Sequence, residues 1–413
     1  MKGGIFLGWI QMLEKTYDAC EAIVGKKVNE DPILLPISHS TANAQIEVTI
    51  DLKGKFMPAL SGIIPKDGED KITIIPVTED NGSCPHALCD KLCYVAGDYS
   101  LYTNEDKTEY YNDYINSLRK WTSSEFSNKW LQCVYLYLKK ATLIQDLIKA
   151  KLLVLAEDGF LSENENKIQS VAQKDAMVRF AVWDNGEKHE LWKEPEMYHS
   201  FIEYYKTNLH NCNIDYVTGE KIQCSEKHPS KIRNSGDKAK IFSANDTSGF
   251  TYRGRFANRE QAASIGYETS QKAHNALRWL LARQGKYIDG EMTVVWKLPQ
   301  NLKEKDSNLA LDVVDLFGDT QETFLADFDW AAECRDEDDI ELDRKFAEKL
   351  NQAMAGYRAK LQPDDEVIIL SVDAATTGRL AVTYYQEVPG NEFIDRVLHW
   401  HQNCTWPRWI KLH

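Results

Sequence analysis

Apolar residues along this chain change period in long blocks, and that restricts the fold more than any single motif does. Gln45 to Asp51 (QIEVTID) alternates apolar and polar side chains, the signature of a half-buried strand. Leu52-Lys53-Gly54 supplies a turn and Lys55 to Leu60 returns, so the two runs read as a hairpin. Lys71 to Thr78 (KITIIPVT) reads as a third strand, in which Pro76 cannot donate to a ladder and marks a sheet edge or the strand's end. From Ala87 to Leu155 the spacing turns helical. Leu88, Leu92 and Val95 share one face, and Trp121, Trp130, Leu131, Tyr135, Leu138 and Leu143 mark buried stripes. Strands first and helices after is the order of an α+β fold, not of repeated βαβ units.

A polar connector, Ser162 to Lys167, separates this block from a second one. There Met177 to Trp183 (MVRFAVW) reads as a strand, Glu196 to Asn208 as a helix and Lys238 to Ser243 as a strand. Gln261 to Arg283 reads as one long helix carrying Leu277, Leu280 and Leu281, followed by the buried strand Met292 to Trp296. Leu302 to Asp343 is acidic and irregular, ending in Asp336 to Asp339 (DEDD). The last part reads as helix (Leu342 to Leu361), strand (Val367 to Asp373), turn (Thr376-Thr377-Gly378), strand (Arg379 to Glu387) and helix (Asn391 to His401). The expected architecture is therefore α+β. Residues 1–161 form an N-terminal hairpin and edge-strand sheet with helices, and residues 162–413 form a second mixed α/β region with long helices.

Bulk composition removes several classes of function. Hydrophobic content of 43% with 11% aromatic excludes general disorder. No window approaches the ~18 uncharged apolar residues of a membrane span, so a membrane is not an expected partner. The opening MKGGIFLGWIQMLEKTYDAC runs into Glu14, Lys15 and Asp18 without a small-residue cleavage site, and reads as an amphipathic first helix. Nine scattered cysteines fit a reducing cytoplasm. A net charge of −14 excludes a protein that coats nucleic acid with its whole surface. Such binding would run through local patches, helped by partner subunits.

One such patch stands out. Between Glu226 and Asn258, seven cationic side chains face three acidic ones, a local +4. Ser235-Gly236, Ser248-Gly249 and Gly254 let backbone amides approach a phosphate while Lys231, Arg233, Lys238, Lys240, Arg253 and Arg255 supply charge. Asn234 and Asn245 are hydrogen-bonding companions. Phe250, Tyr252 and Phe256 alternate with small or cationic residues, as a single-strand stacking surface needs, with Phe250 and Tyr252 as the stacking candidates. A solvated basic loop with its rings in the core is the plainer alternative.

Enzyme motifs are missing. No GxxxxGK[ST], GxGxxG, HExxH or GxSxG occurs, and no cofactor is implied. Consecutive acids at 336–339 have diverging side chains and read as a solvated loop in preference to a metal-dependent nuclease site. His210, Cys212, Cys224 and His228 have zinc-ligand chemistry, but the one-residue gap in His210-x-Cys212 is not a usual finger spacing. Cys84, Cys89 and Cys93 with His86 form a second cluster, better read as small buried hydrophobes.

WIQMLEKTYDAC, PISHSTANAQIEV, IIPVTE, PHALCDKLCYVAGDY, YVTGE, HPSKIRNSGDKAKIFSANDTSGFTYRGRF and ANREQAASIGYETSQKAHNALRWLL together resemble one family over nearly the whole chain. It is the large subunit of the type I-C CRISPR interference complex (the Csd-type Cascade large subunit). The resemblance implies a non-catalytic subunit that reads the protospacer-adjacent motif in target double-stranded DNA, helps open the duplex and recruits the helicase-nuclease. It also implies guide CRISPR RNA, a handle-binding subunit, RNA-coating backbone subunits and small helical subunits as partners. Family members usually continue into a C-terminal helical bundle. This chain stops at Trp406-Pro407-Arg408-Trp409-Ile410-Lys411-Leu412-His413, so the expectation is a form without that bundle.

By the resemblance, the loop Glu79 to Pro85 faces the motif. Its own residues suit that role. Asn81 can pair with adenine or with minor-groove acceptors, Gly82 lets the backbone approach, and Ser83 and His86 add donors or acceptors. A turn chosen only for its Asn-Gly geometry is the competing account. Ser38, His39, Thr41 and Asn43 are weaker candidates for backbone contacts. Two other classes stay open: a nuclease using the carboxylates of 312–343, and a pure scaffold whose acidic face docks a basic partner.

Overall fold

Helix α1 (Gly8–Ala19) forms where the opening stretch becomes amphipathic, burying Trp9, Ile10, Met12, Leu13, Thr16 and Tyr17. In the computed structural model the described residues are 8–28, 31–67, 72–77, 85–161, 166–234, 236–242, 256–288, 291–298, 365–376 and 378–403. The chain divides into two compact units, 35–212 and 1–34 with 213–413.

In the 35–212 unit, β1 (His39–Asn43) is followed by β2 (Ile46–Asp51), the strand read from its alternation. The turn after it is a carboxylate-held one: Asp51 Oδ1 accepts the N–H groups of Lys53 and Lys55 at 2.8 and 2.9 Å, and Gly54 takes φ +67°. The return is shorter than a full hairpin, with a bridge between Ile50 and Phe56 before pairing resumes at β3 (Gly62–Ile63). β4 (Ile72–Pro76) leaves this sheet and pairs antiparallel with β1, from His39 opposite Pro76 to Asn43 opposite Ile72. Pro76 thus closes its strand, as its missing N–H requires.

Past β4 come β5 (Asp90–Lys91), β6 (Met177–Asp184) and β7 (Glu187–Glu190). β6 lies parallel to β2, from Ile46 opposite Val178 to Asp51 opposite Trp183, and completes a five-stranded sheet with β3, β5 and β7. Chain from both sides of the 162–167 connector therefore shares one sheet, and the expected 161/162 divide falls inside a single unit. Helices α2 (Leu92–Val95), α3 (Thr108–Thr122), α4 (Lys129–Leu138), α5 (Leu143–Lys149) and α6 (Pro195–Lys206) complete the unit.

Trp121, Tyr114, Tyr137, Phe180 and Phe201 are fully buried in this unit's core, each contributing about 2–3 kcal/mol of transfer free energy. Polar groups there are matched. Trp121 Nε1 donates to Ser200 Oγ at 3.0 Å, and Asn128 caps α4 by accepting the Leu131 N–H. The buried guanidinium of Arg179 meets Glu47 at 2.6 Å and stacks 3.7 Å from the Trp192 ring centroid.

The other unit joins α1 to a two-stranded hairpin, β8 (Cys212–Ile214) with β9 (Lys221–Gln223). Helices α7 (Arg259–Ala262) and α8 (Tyr267–Gln284) then occupy the stretch read as one helix. The break has a cause. Tyr216 N–H bonds Ser264 O and Ser225 N–H bonds Ile265 O, so this backbone pairs with its neighbours and not along a helix axis. A Cβ at Gly266 would meet Ile222 Cδ1 at 2.5 Å.

A four-stranded antiparallel sheet follows: β10 (Lys286–Ile288), β11 (Glu291–Leu298), β12 (Glu366–Thr376) and β13 (Arg379–Pro389), in that spatial order, with α9 (Gly390–Asn403) after it. α1 and α8 pack on each other and on β11, where Trp296 Nε1 donates to Thr16 Oγ1 at 2.9 Å and Gln284 Nε2 to Val295 O at 2.6 Å. The α+β class is the one the periodicity blocks predict. The acidic stretch 302–343 and the helix expected at 342–361 lie outside the described residues. Among the described residues no helix is long and apolar enough to cross a membrane.

Candidate nucleic-acid interface

Residues 231–240 form a tight turn whose lock is Asp237. Its backbone carbonyl accepts the Lys231 N–H at 2.8 Å, which places Lys231 at φ +61°. Its carboxylate accepts Arg233 Nε at 2.8 Å, Arg233 Nη2 at 3.3 Å and the Ala239 N–H at 3.0 Å. Asn234 closes the tip by accepting the Gly236 N–H at 3.0 Å. Burial would push the Asp237 carboxyl up, but its bonds from Arg233 and the Ala239 N–H outweigh that and hold it below the usual carboxylate range.

Burial alternates along this turn. Ile232, Asp237 and Ala239 point inward, whereas Lys231, Asn234, Gly236 and Lys238 are exposed. Lys240 is half-buried, and its backbone joins the β12–β13 connection: the Lys240 N–H bonds Gly378 O and the Leu380 N–H bonds Lys240 O. That docking sets the exposed Arg379 opposite Lys240. Of the strand expected at Lys238 to Ser243, the described residues 238–242 pair only through this single bridge and form no strand; Ser243 lies outside the described residues. Arg278 of α8 donates to Ser230 O at 2.9 Å and ties the start of the turn to the body.

Beneath it sits an aromatic layer. Phe242 stacks on Trp9 with centroids 5.6 Å apart and lies edge-on to His274 at 5.8 Å. His228 Nδ1 is 2.8 Å from Ser270 Oγ, and His274 Nδ1 is 2.6 Å from Ser270 O. Burial pulls His228 down to about 3 and His274 to about 4, so both are neutral core side chains at physiological pH. Cys224 is buried, with the Ser264 hydroxyl 3.4 Å from its sulfur. Among the described residues no three His, Cys, Asp or Glu side chains converge as metal ligands, so His210, Cys212, Cys224 and His228 are not gathered into one site.

In the 35–212 unit the structure describes the chain on both sides of the 79–85 loop, but Asn81, Gly82 and Ser83 lie outside the described residues. At one end the Val77 N–H bonds Ser38 O at 2.8 Å. At the other, the buried Asp90 carboxylate accepts the His86 N–H at 2.7 Å and the Lys91 N–H at 2.7 Å. Leu88, held at φ +69°, gives its carbonyl to the Tyr114 hydroxyl at 2.8 Å. His86 is half-buried, and its backbone is part of this clamp. His39 is a core residue: buried between Tyr198 and Phe201, bonded to Ile37 O, and pulled by burial to about 4. Thr41 and Asn43 are exposed on β1.

Lys231, Arg233, Asn234, Lys238 and Lys240 are therefore gathered in one turn, in which the Arg233 guanidinium is engaged by Asp237 and the exposed groups are Lys231, Asn234 and Lys238. Asn245, Phe250, Tyr252, Arg253 and Arg255 lie outside the described residues. Sequence reading missed Asp237 as the lock, although Asn234-Ser235-Gly236-Asp237 is itself a turn signal. It also missed Arg379, which only the docking of Lys240 brings alongside.

Residues 13–411 match the family described as CRISPR-associated protein (Cas_Csd1). The chain belongs to that family. The match covers nearly the whole chain and agrees with the resemblance to the type I-C Cascade large subunit. No curated relative matches it. A turn that exposes cations on an acidic body is chemically suited to hold phosphate groups.

Proposed function

We propose that this chain is the non-catalytic large subunit of an RNA-guided type I-C surveillance complex in the cytoplasm. It reads the protospacer-adjacent motif in duplex DNA, helps unwind the target and recruits the helicase-nuclease. Base pairing by the guide carries most of the sequence information, and the protein reads a short duplex motif and backbone shape. The observation that carries this reading is the 231–240 turn, with Lys231, Asn234 and Lys238 exposed on a frame hydrogen-bonded through Asp237 in a chain of net charge −14. Phosphate contacts there position the complex, while Asn81, in the loop that precedes the His86 and Leu88 backbone bonded by Asp90 and Tyr114, discriminates bases.

The test is to co-purify the chain with guide RNA and the other subunits and to measure binding to duplexes that differ only in the adjacent motif. Asn81→Ala should cost ~1–3 kcal/mol on the correct motif alone and flatten the ranking of motif variants. If the variant ranks them as the parent does, Asn81 is not the reader. Failure of the chain to co-purify with guide RNA overturns the reading as a whole.

A further inference from the structure

A second cationic surface lies in the 35–212 unit, where the sequence shows no basic run. The turn after β2 seats on α4: a Cβ at Gly54 would lie 3.0 Å from Leu136 Cβ and 3.1 Å from Cys133 O, and the Cys133 thiol reaches Leu52 O at 3.3 Å. Lys140, just past α4, donates its ammonium to Gly54 O, and Phe56 stacks on Tyr137 with centroids 6.2 Å apart. The result is one fixed surface bearing Lys53, Lys55, Lys139 and Lys140, all exposed. Among the described residues none of these four makes an ion pair; Lys139 and Lys140 lie over the Tyr135 and Tyr137 rings, and the Asp51 carboxylate accepts the N–H groups of Lys53 and Lys55. Set among them are Leu52, 42% exposed, and Leu136, 49% exposed.

The negative end of α4 accounts for lysines at 139 and 140. It does not account for two more on a facing turn, nor for leucines turned outward between them. A nucleic-acid backbone gains from the lysines and little from the leucines, whereas an apolar centre with a charged rim is the anatomy of a protein interface. We infer that the Leu52/Leu136 surface docks a partner protein through a segment that presents apolar side chains flanked by Asp and Glu. Charge complementarity selects that occupant: four lysines without ion-pair partners leave this surface net positive even with the Asp51 carboxylate among them, so it repels basic segments and attracts acidic ones. This surface belongs to the 35–212 unit and the 231–240 turn to the other unit.

The experiment compares lysine acetylation in the isolated chain and in the co-purified assembly, followed by carbodiimide cross-linking of the assembly and peptide mass spectrometry. Expected are protection of Lys53, Lys55, Lys139 and Lys140, and zero-length links from them to carboxylates of another protein. Lys53→Glu with Lys139→Glu should weaken assembly on the order of tenfold, with the loss shrinking as salt is raised. Leu52→Asp with Leu136→Asp should weaken it at high salt as well. Protection that vanishes when nuclease removes the nucleic acid means a phosphate surface and overturns the inference. So do lysines equally reactive in both samples, or no assembly at all. Loss of protection at Lys231 and Lys238 alone bears on the proposed function and leaves this inference standing.

Discussion

Replacing Asp237 by Ala tests whether the 231–240 turn is held as rigidly as its bonds imply. The carboxylate satisfies the Ala239 N–H in a fully buried setting, and orphaning that donor costs about 1–3 kcal/mol. Its pair with Arg233 contributes less, because the Arg233 side chain is 23% exposed and water can replace its partner, about 0–1 kcal/mol. The expected loss is about 2 kcal/mol, concentrated in local opening of the turn. Hydrogen–deuterium exchange reads it as about thirty-fold faster exchange in peptides covering 231–239, with α8 peptides unchanged. Asp237→Asn keeps an oxygen for Ala239 and should lose less than half as much. The pH dependence has a fixed sign. The folded carboxyl lies below its unfolded value, so the contribution is complete above about pH 4, the ordinary range of an unfolded Asp, and is lost as pH falls through the folded value. A parent–variant difference that is the same at pH 3 as at pH 7, or that is absent at pH 7, refutes the lock.

Other consequences are as concrete. Gly54→Ala forces an L side chain to φ +67° against Leu136 Cβ and the Tyr137 amide, both 3.0 Å away. It should destabilise the 35–212 unit by at least about 2 kcal/mol in denaturant titrations. His39, His228 and His274 are held neutral by burial at about 4, about 3 and about 4. The unfolded chain therefore binds more protons below about pH 6.5, and stability should decline as pH falls from there towards 4. Stability measured across that range in His39→Phe should fall less steeply than in the parent.

The C-terminal hairpin and helix were legible because their sequence is locally consistent. β-branched runs flank Thr376-Thr377-Gly378, and the observed β12, β13 and α9 lie within a few residues of the expected spans. What escaped was non-local. β1 is a polar run that no strand pattern marks, and it is a strand because the apolar β4 needs a partner. β6 pairs with β2 across about 130 residues, a parallel register that no local signal encodes. Among the site residues, the cations of 231–240 were evident from charge density alone. That Arg233 is engaged by Asp237 while Lys231 and Lys238 face solvent depends on which side of the turn packs, fixed by Ile232 and Ala239. His39 and His228 looked like polar candidates in sequence, but the rings around them make them core residues.

The central claim is that the exposed cations of the 231–240 turn hold phosphates, and the salt dependence of nucleic-acid binding tests it most directly. For the complex carrying Lys231→Ala with Lys238→Ala, the account predicts weaker binding on every sequence, with the slope of log affinity against log salt shallower by about two units. An unchanged slope, with affinity equal to the parent's, would contradict it.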